Sequence, residues 1–137
     1  MSWRADLALG QKYEKIALAK LGDGHIITPP PDIAHSAWDF QHNGRSYEVK
    51  SDRWTARTGN LCIEYEHTGV PSGISITGAD DWIYYAIDGT THYAYKIPTD
   101  ALRAAVGRPG VRKHSTDGGN SKFYLIPERD FSAYKWD

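Results

Sequence analysis

The chain has one cysteine and one methionine in 137 residues. A single thiol, Cys62, cannot close an internal disulfide. That excludes a disulfide-stapled scaffold and points to a reducing compartment. Long apolar runs are missing as well. None approaches the roughly 20 residues of a membrane-spanning helix, and the opening MSWRADLALG lacks the apolar core of a signal peptide. No membrane partner and a cytoplasmic location are therefore expected. Charge of one sign is also missing: 16 Lys and Arg against 17 Asp and Glu leave a net charge of −1. Binding to nucleic acid through bulk charge alone is excluded, so any such contact needs a local basic surface. The six histidines lack zinc-finger or HExxH spacing, there is no phosphate-cradling P-loop, and Ser and Cys nucleophile motifs are absent.

What is present reads as one domain, residues 1–137, long enough to bury a core. Residues 6–21 predict a helix, with Leu7, Tyr13, Ile16, Ala17 and Leu21 on its apolar stripe, Asp6 as N-cap and Gly22 just past its end. Residues 22–31, which contain Pro29-Pro30-Pro31, predict a loop or a short extended piece. Residues 51–59 read as a polar connection and residues 68–78, with three glycines and Pro71, as a second loop. Strands are expected at 61–67, 82–87, 92–97 and 123–126, with turns at Asp88-Gly89 and at 117–120. Thr99 is placed to cap a helix at 100–106, ended by Gly107 and Pro109. No repeat appears. The order predicts an α/β or α+β domain, helices packed on a mixed central sheet.

The stretch WDFQHNGRSYEVKSD, residues 38–52, carries the chemistry. Asn43-Gly44 between two alternating runs predicts a hairpin with a type I′ turn. The register then sets Phe40 opposite Tyr47 and Asp39 opposite Glu48. Trp38, Phe40, Tyr47 and Val49 share an apolar face; Asp39, Glu48 and Lys50 share the other. Directly opposed side chains have Cβ atoms about 4.5–5.5 Å apart, and like charges there are destabilising. Two facing carboxylates need a proton, a cationic neighbour or a metal, and hard dications such as Mg²⁺ take carboxylate oxygens. A solvated strand face with a weak salt bridge has the same spacing.

The pattern Asp39, eight residues, then Glu48-Val49-Lys50 resembles the PD-(D/E)xK nuclease superfamily. The similarity extends to a preceding helix with Glu14, and to RTGNLCIEYEHTGVPSGISITGADDWIYYAI, YKIPTDALRAAV and GGNSKFYLIP, which look like small phage and prophage endonucleases. It covers about residues 6–127. The sequence departs from the family name in one place, since Trp38 stands where the name has Pro. The resemblance implies a restriction-endonuclease-like core and a Mg²⁺- or Mn²⁺-dependent endonuclease that cuts DNA in the cytoplasm of a bacterial host cell. It implies that Asp39 and Glu48 bind the metal with the Val49 carbonyl. Lys50 would orient or help deprotonate the attacking water, and Glu14 would be an extra ligand. Cleavage would leave 5′-phosphate and 3′-hydroxyl ends.

Around this set, Glu64 and Glu66 alternate with Cys62 along the 61–67 strand, and Glu64 is placed to support the metal if that strand neighbours Glu48. Cys62 is expected to be buried. Phosphate contacts fall to Arg53, Arg57, Arg112, Lys113 and Lys122, and Trp54 is placed to stack on a base or wedge a junction. Two other readings stay open: a catalytically silent nucleic-acid-binding module on the same fold, and an RNase. A homodimer is expected, because cutting two strands calls for two sites related by symmetry. Light scattering at working concentration should return a dimer mass.

Overall fold

A computed structural model describes residues 3–29 and 37–137; Pro30, Pro31 and His35 of the sequence reading lie outside them. The chain runs α1 (Trp3–Leu21), β1 (Ile26–Ile27), β2 (Phe40–His42), β3 (Arg45–Asp52), α2 (Thr55–Thr58), β4 (Asn60–His67) and β5 (Val70–Pro71). It continues through β6 (Asp81–Asp88), β7 (Thr91–Pro98), α3 (Thr99–Val106), β8 (Arg112–Thr116) and β9 (Ser121–Pro127), with a 3₁₀ segment at Glu128–Tyr134. This is an α+β fold with two sheets. One has the order β1-β2-β3-β6-β7, the other β5-β4-β9-β8.

The hairpin seeds the first sheet. Asn43 and Gly44 both take positive φ, 51° and 84°, as a type I′ turn requires. The turn sets Phe40 against Tyr47, Gln41 against Ser46 and His42 against Arg45. On its other side β3 pairs in parallel with β6, and β6 pairs antiparallel with β7. The first sheet is therefore mixed. β6 is buried from Asp81 to Ile87 because both of its faces are covered. Ile83, Tyr85 and Ile87 pack with Phe40, Tyr47 and Ala94 against Tyr13 and Ala17 of α1. Trp82 and Tyr84 turn the other way, with Tyr95 and Ile97, onto Leu61, Ile63 and Ile126 of the second sheet and Leu102 of α3. The second sheet thus covers the face opposite α1.

Several elements differ from the sequence reading. Asp6 falls inside α1, which already begins at Trp3. Thr99 opens α3 rather than capping it, and its hydroxyl donates to the Ala79 carbonyl (2.7 Å). The polar connection at 51–59 holds the short helix α2, and the basic stretch around Arg112 is a strand. Trp38 leaves the face of Phe40 and packs against the Trp82 cluster. The backbone explains the change. The Ala37 carbonyl accepts from the Gly78 amide (2.8 Å), which draws residues 37–39 off the β2 line. No helix among the described residues is long and apolar enough to cross a membrane.

Ile83 is fully buried at the centre of the first sheet. Ile83→Ala should lower the unfolding free energy by about 2–5 kcal/mol in urea titrations. A loss below about 1 kcal/mol would contradict this packing of α1 on the sheet.

Candidate active site

Strand alternation sets the chemistry on one face of β3. Glu48 and Lys50 register with Trp82 and Tyr84 across the parallel ladder, while Val49 points to the α1 side. Lys50 Nζ lies 3.3 Å from Glu48 Oε1, their side chains 38% and 16% exposed, and 5.8 Å from the centroid of the Trp82 ring.

Asp39 reaches this group by another route than the expected register. The β2–β3 ladder ends at the Phe40–Tyr47 pair. One residue beyond it, the Asp39 amide donates to the Tyr47 carbonyl (2.8 Å). Its carboxylate turns onto the β3 backbone, where Oδ2 accepts from the Val49 amide (2.8 Å). The amide fixes one oxygen and holds the carboxylate against the Glu48-Val49-Lys50 segment.

The electrostatics tie the set together. Burial pushes Glu48 up to about 7, with Asp39 and Glu14 adding to the rise and Lys50 opposing it. Burial also raises Asp39, against the Val49 amide and Lys50. Glu14, half-buried on α1, is raised by burial and then by the charge of Asp39. Burial alone would lower Lys50, but Glu48, Asp39 and Glu64 outweigh it and hold its ammonium above the ordinary lysine range. Glu48 thus touches the ammonium, and Asp39, Glu64 and Glu14 interact with it through their charge. Glu64 acts on it by charge from β4 and accepts from Ser72 Oγ (3.0 Å). A Cβ at Gly73 would collide with the Glu64 carbonyl, so glycine is required where that loop crosses β4.

These residues fit a hard dication. The donors are oxygens, they outnumber the neighbouring cation, and burial makes their charge costly without a positive partner. Among the described residues, no three His, Cys, Asp or Glu side chains converge as a ready-made metal cage. Asp39 and Glu48 form a two-carboxylate set, the number Mg²⁺ commonly takes from protein, with waters and substrate phosphate completing its shell.

Beside Lys50 and Glu64 opens a groove of about 1060 Å³. One wall is α2 and the residues leading into it, with Arg53, Trp54 and Arg57. The other is the second sheet, where two rows cross the strands: Cys62, Leu125, Arg112 and then Glu64, Phe123, His114. Asp52 joins the walls to the site. Its Oδ1 accepts from the amides of Trp54 (3.1 Å) and Thr55 (2.9 Å), and its Oδ2 accepts from the Tyr84 hydroxyl. The Tyr84 hydroxyl in turn accepts from the Cys62 amide (3.1 Å).

Of the expected phosphate contacts, Arg53, Arg57 and Arg112 line the groove. Lys113 lies on the opposite face of the second sheet, its ammonium 5.7 Å from the Tyr65 and Tyr124 ring centroids. Lys122 is ion-paired to Glu66 (2.8 Å), so neither belongs to the set around Lys50. Cys62 is half-buried in the groove wall rather than in the core, and burial pushes its thiol up to about 11. Sequence reasoning missed His114, Phe123 and the Asp52–Tyr84 bond. The period of two in RKHST was the available signal, but that run has no apolar alternation to mark it as a strand. Compared with protein-family models, curated proteins and solved structures, the chain matches none.

The raised Glu48 carboxyl makes a pH prediction. The folded state binds this proton more tightly than the unfolded state, so it contributes stability at low pH that is lost as pH rises through about 7. In chelator, the native chain should melt lower at pH 8 than at pH 5.5, and Glu48→Gln should remove most of that difference and melt higher at pH 8. Equal melting of the two chains at pH 8 would contradict the assignment.

Proposed function

We propose that the chain is a metal-dependent nuclease that hydrolyses phosphodiester bonds in DNA. One observation carries this reading: the Lys50 ammonium sits among Glu48, Asp39, Glu14 and Glu64, at the side of a groove lined by arginines. A binding module has no use for carboxylates gathered beside a phosphate-seeking surface, since they repel the ligand. That weighs against the silent-module reading.

Asp39 and Glu48 would hold the metal, with the Val49 carbonyl beside them. When bound, a Mg²⁺ or Mn²⁺ ion supplies Lewis acidity and lowers the pKa of a coordinated water. The protein's own share is positional. The Val49 amide fixes the Asp39 carboxylate. Glu48 holds Lys50 in reach, and the Lys50 ammonium orients the attacking water and offsets charge on the phosphate. Glu14 adds negative charge on the α1 side that would attract the cation. Arg53, Arg57 and Arg112 neutralise the flanking phosphates. On this reading the enzyme is of the phage or prophage type, acts in the cytoplasm of a bacterial host, and works as a homodimer when both strands are cut.

The test is cleavage of supercoiled plasmid, single-stranded DNA, a four-way junction and RNA in Mg²⁺, Mn²⁺ and EDTA. Native chain should cut DNA only with metal. Lys50→Ala should lower the rate by about 10²–10⁴ while remaining folded by circular dichroism. Cutting of RNA alone would move the assignment to an RNase. No cutting of any substrate by folded native chain would remove it.

A further inference from the structure

We propose that the groove beside Lys50 grips an unpaired polynucleotide strand, with Trp54 as the platform on which a base stacks. The position of the cut relative to that base rests on the nuclease reading; the strand grip does not.

Three observations carry it. The first is the exposure of Trp54 inside the groove. Trp54 is 58% exposed, while Trp82, which lines the same groove from β6, is 1% exposed. A lone exposed aromatic on a convex surface needs no explanation. One set in a concave groove between arginines is placed to meet a ligand.

The second is rigidity. The Trp54 amide is bound to Asp52, which is itself held by Tyr84, and the Arg57 guanidinium lies 5.3 Å from the centroid of the Trp54 ring. The backbone that carries the ring is therefore held and Arg57 restricts the ring, so less freedom is lost on binding. Its anchor, Asp52, is two residues beyond Lys50 on the same face of β3, so the platform is fixed relative to the catalytic set.

The third is the distribution of charge. Arg53 and Arg57 stand with Trp54 on one wall, and Arg112 stands with His114 and Phe123 on the other. The acidic residues of the groove are engaged within the protein: Asp52 with α2 and Tyr84, Glu64 with Ser72 and the field of Lys50. A cation and an aromatic on each wall suit a strand whose phosphates and base faces are both accessible. A paired duplex offers the phosphates but keeps its base faces in its own stack, so Trp54 and Phe123 would gain nothing from it.

The experiment uses the full chain in EDTA, where metal-dependent cutting cannot intervene. Fluorescence anisotropy compares labelled single-stranded DNA and RNA of about 12 nucleotides with the matched DNA duplex. An unpaired strand should bind at least about tenfold tighter than the duplex, and the DNA and RNA arms identify the sugar. Trp54→Ala should weaken strand binding by about 5- to 100-fold, and Trp54→Phe should stay within about threefold of native. Arg57→Ala and Arg112→Ala should each reduce the slope of log affinity against log salt by about 1. Unchanged melting of the Trp54 variants will show that they fold. Duplex binding as tight as strand binding, no strand binding at all, or unchanged affinity in Trp54→Ala overturns the proposal. A chain that binds strands through Trp54 but never cuts in Mg²⁺ keeps this inference and loses the nuclease. A chain that cuts in Mg²⁺ yet binds strands independently of Trp54 does the reverse.

Discussion

The arrangement of this protein depends on the position of β3. It is paired on both sides, antiparallel to β2 and parallel to β6, and both of its faces are in use. Alternation then leaves no freedom. Tyr47 and Val49 serve the core beneath α1, and Glu48, Lys50 and Asp52 must face the second sheet with Trp82 and Tyr84. A one-residue slip would exchange the two sets, burying three charges under α1 and stripping the core of its anchors. The apolar packing that stabilises the strand is therefore also what orients the charged row.

That row would be costly if it were only structural. Burial of unpaired carboxylates is strongly unfavourable, and a single ammonium faces Glu14, Asp39, Glu48 and Glu64. The fold lowers the cost in three ways. The Val49 amide satisfies one Asp39 oxygen, Lys50 pairs with Glu48, and Glu48 is pushed toward the neutral form. None of these cancels the excess of negative charge. Strain of this kind persists where it is supported elsewhere and put to use, and the packed clusters on both faces of the first sheet supply that support.

The sequence carried the local part of this arrangement clearly. Asn43-Gly44 specifies its own turn through two positive φ angles, and the turn sets the register of its strands. Glu48, Lys50 and their apolar counterparts follow from that register alone. The rest depends on partners far along the chain. β4 finds β9 about sixty residues away, and β8 joins only through β9. The wall holding Arg112 and His114 was therefore hidden, and Lys113 could not be told from Arg112 without knowing that both lie on one strand, β8, on alternate faces. Trp38 shows the limit at short range. Its face was decided not by alternation from Phe40 but by the hydrogen bond between Ala37 and Gly78, a contact no local pattern announces.

Asp52 is where the local and the distant parts meet. One carboxylate closes the first turn of α2, takes the hydroxyl of Tyr84 from the central strand, and through that hydroxyl touches the Cys62 amide of the second sheet. Three elements are thus registered by one small polar network in addition to the apolar cluster that β4 and β6 share. Such networks are stabilising only when every member is satisfied, and here the donors come from β6, α2 and β4. The groove walls are therefore tied together by hydrogen bonds as well as by packed side chains. Because Asp52 lies on the same strand face as Lys50, the walls are positioned from the strand that carries the charged row. A displacement of β3 would move site and groove together, so their mutual geometry is better conserved than either one's position in the molecule.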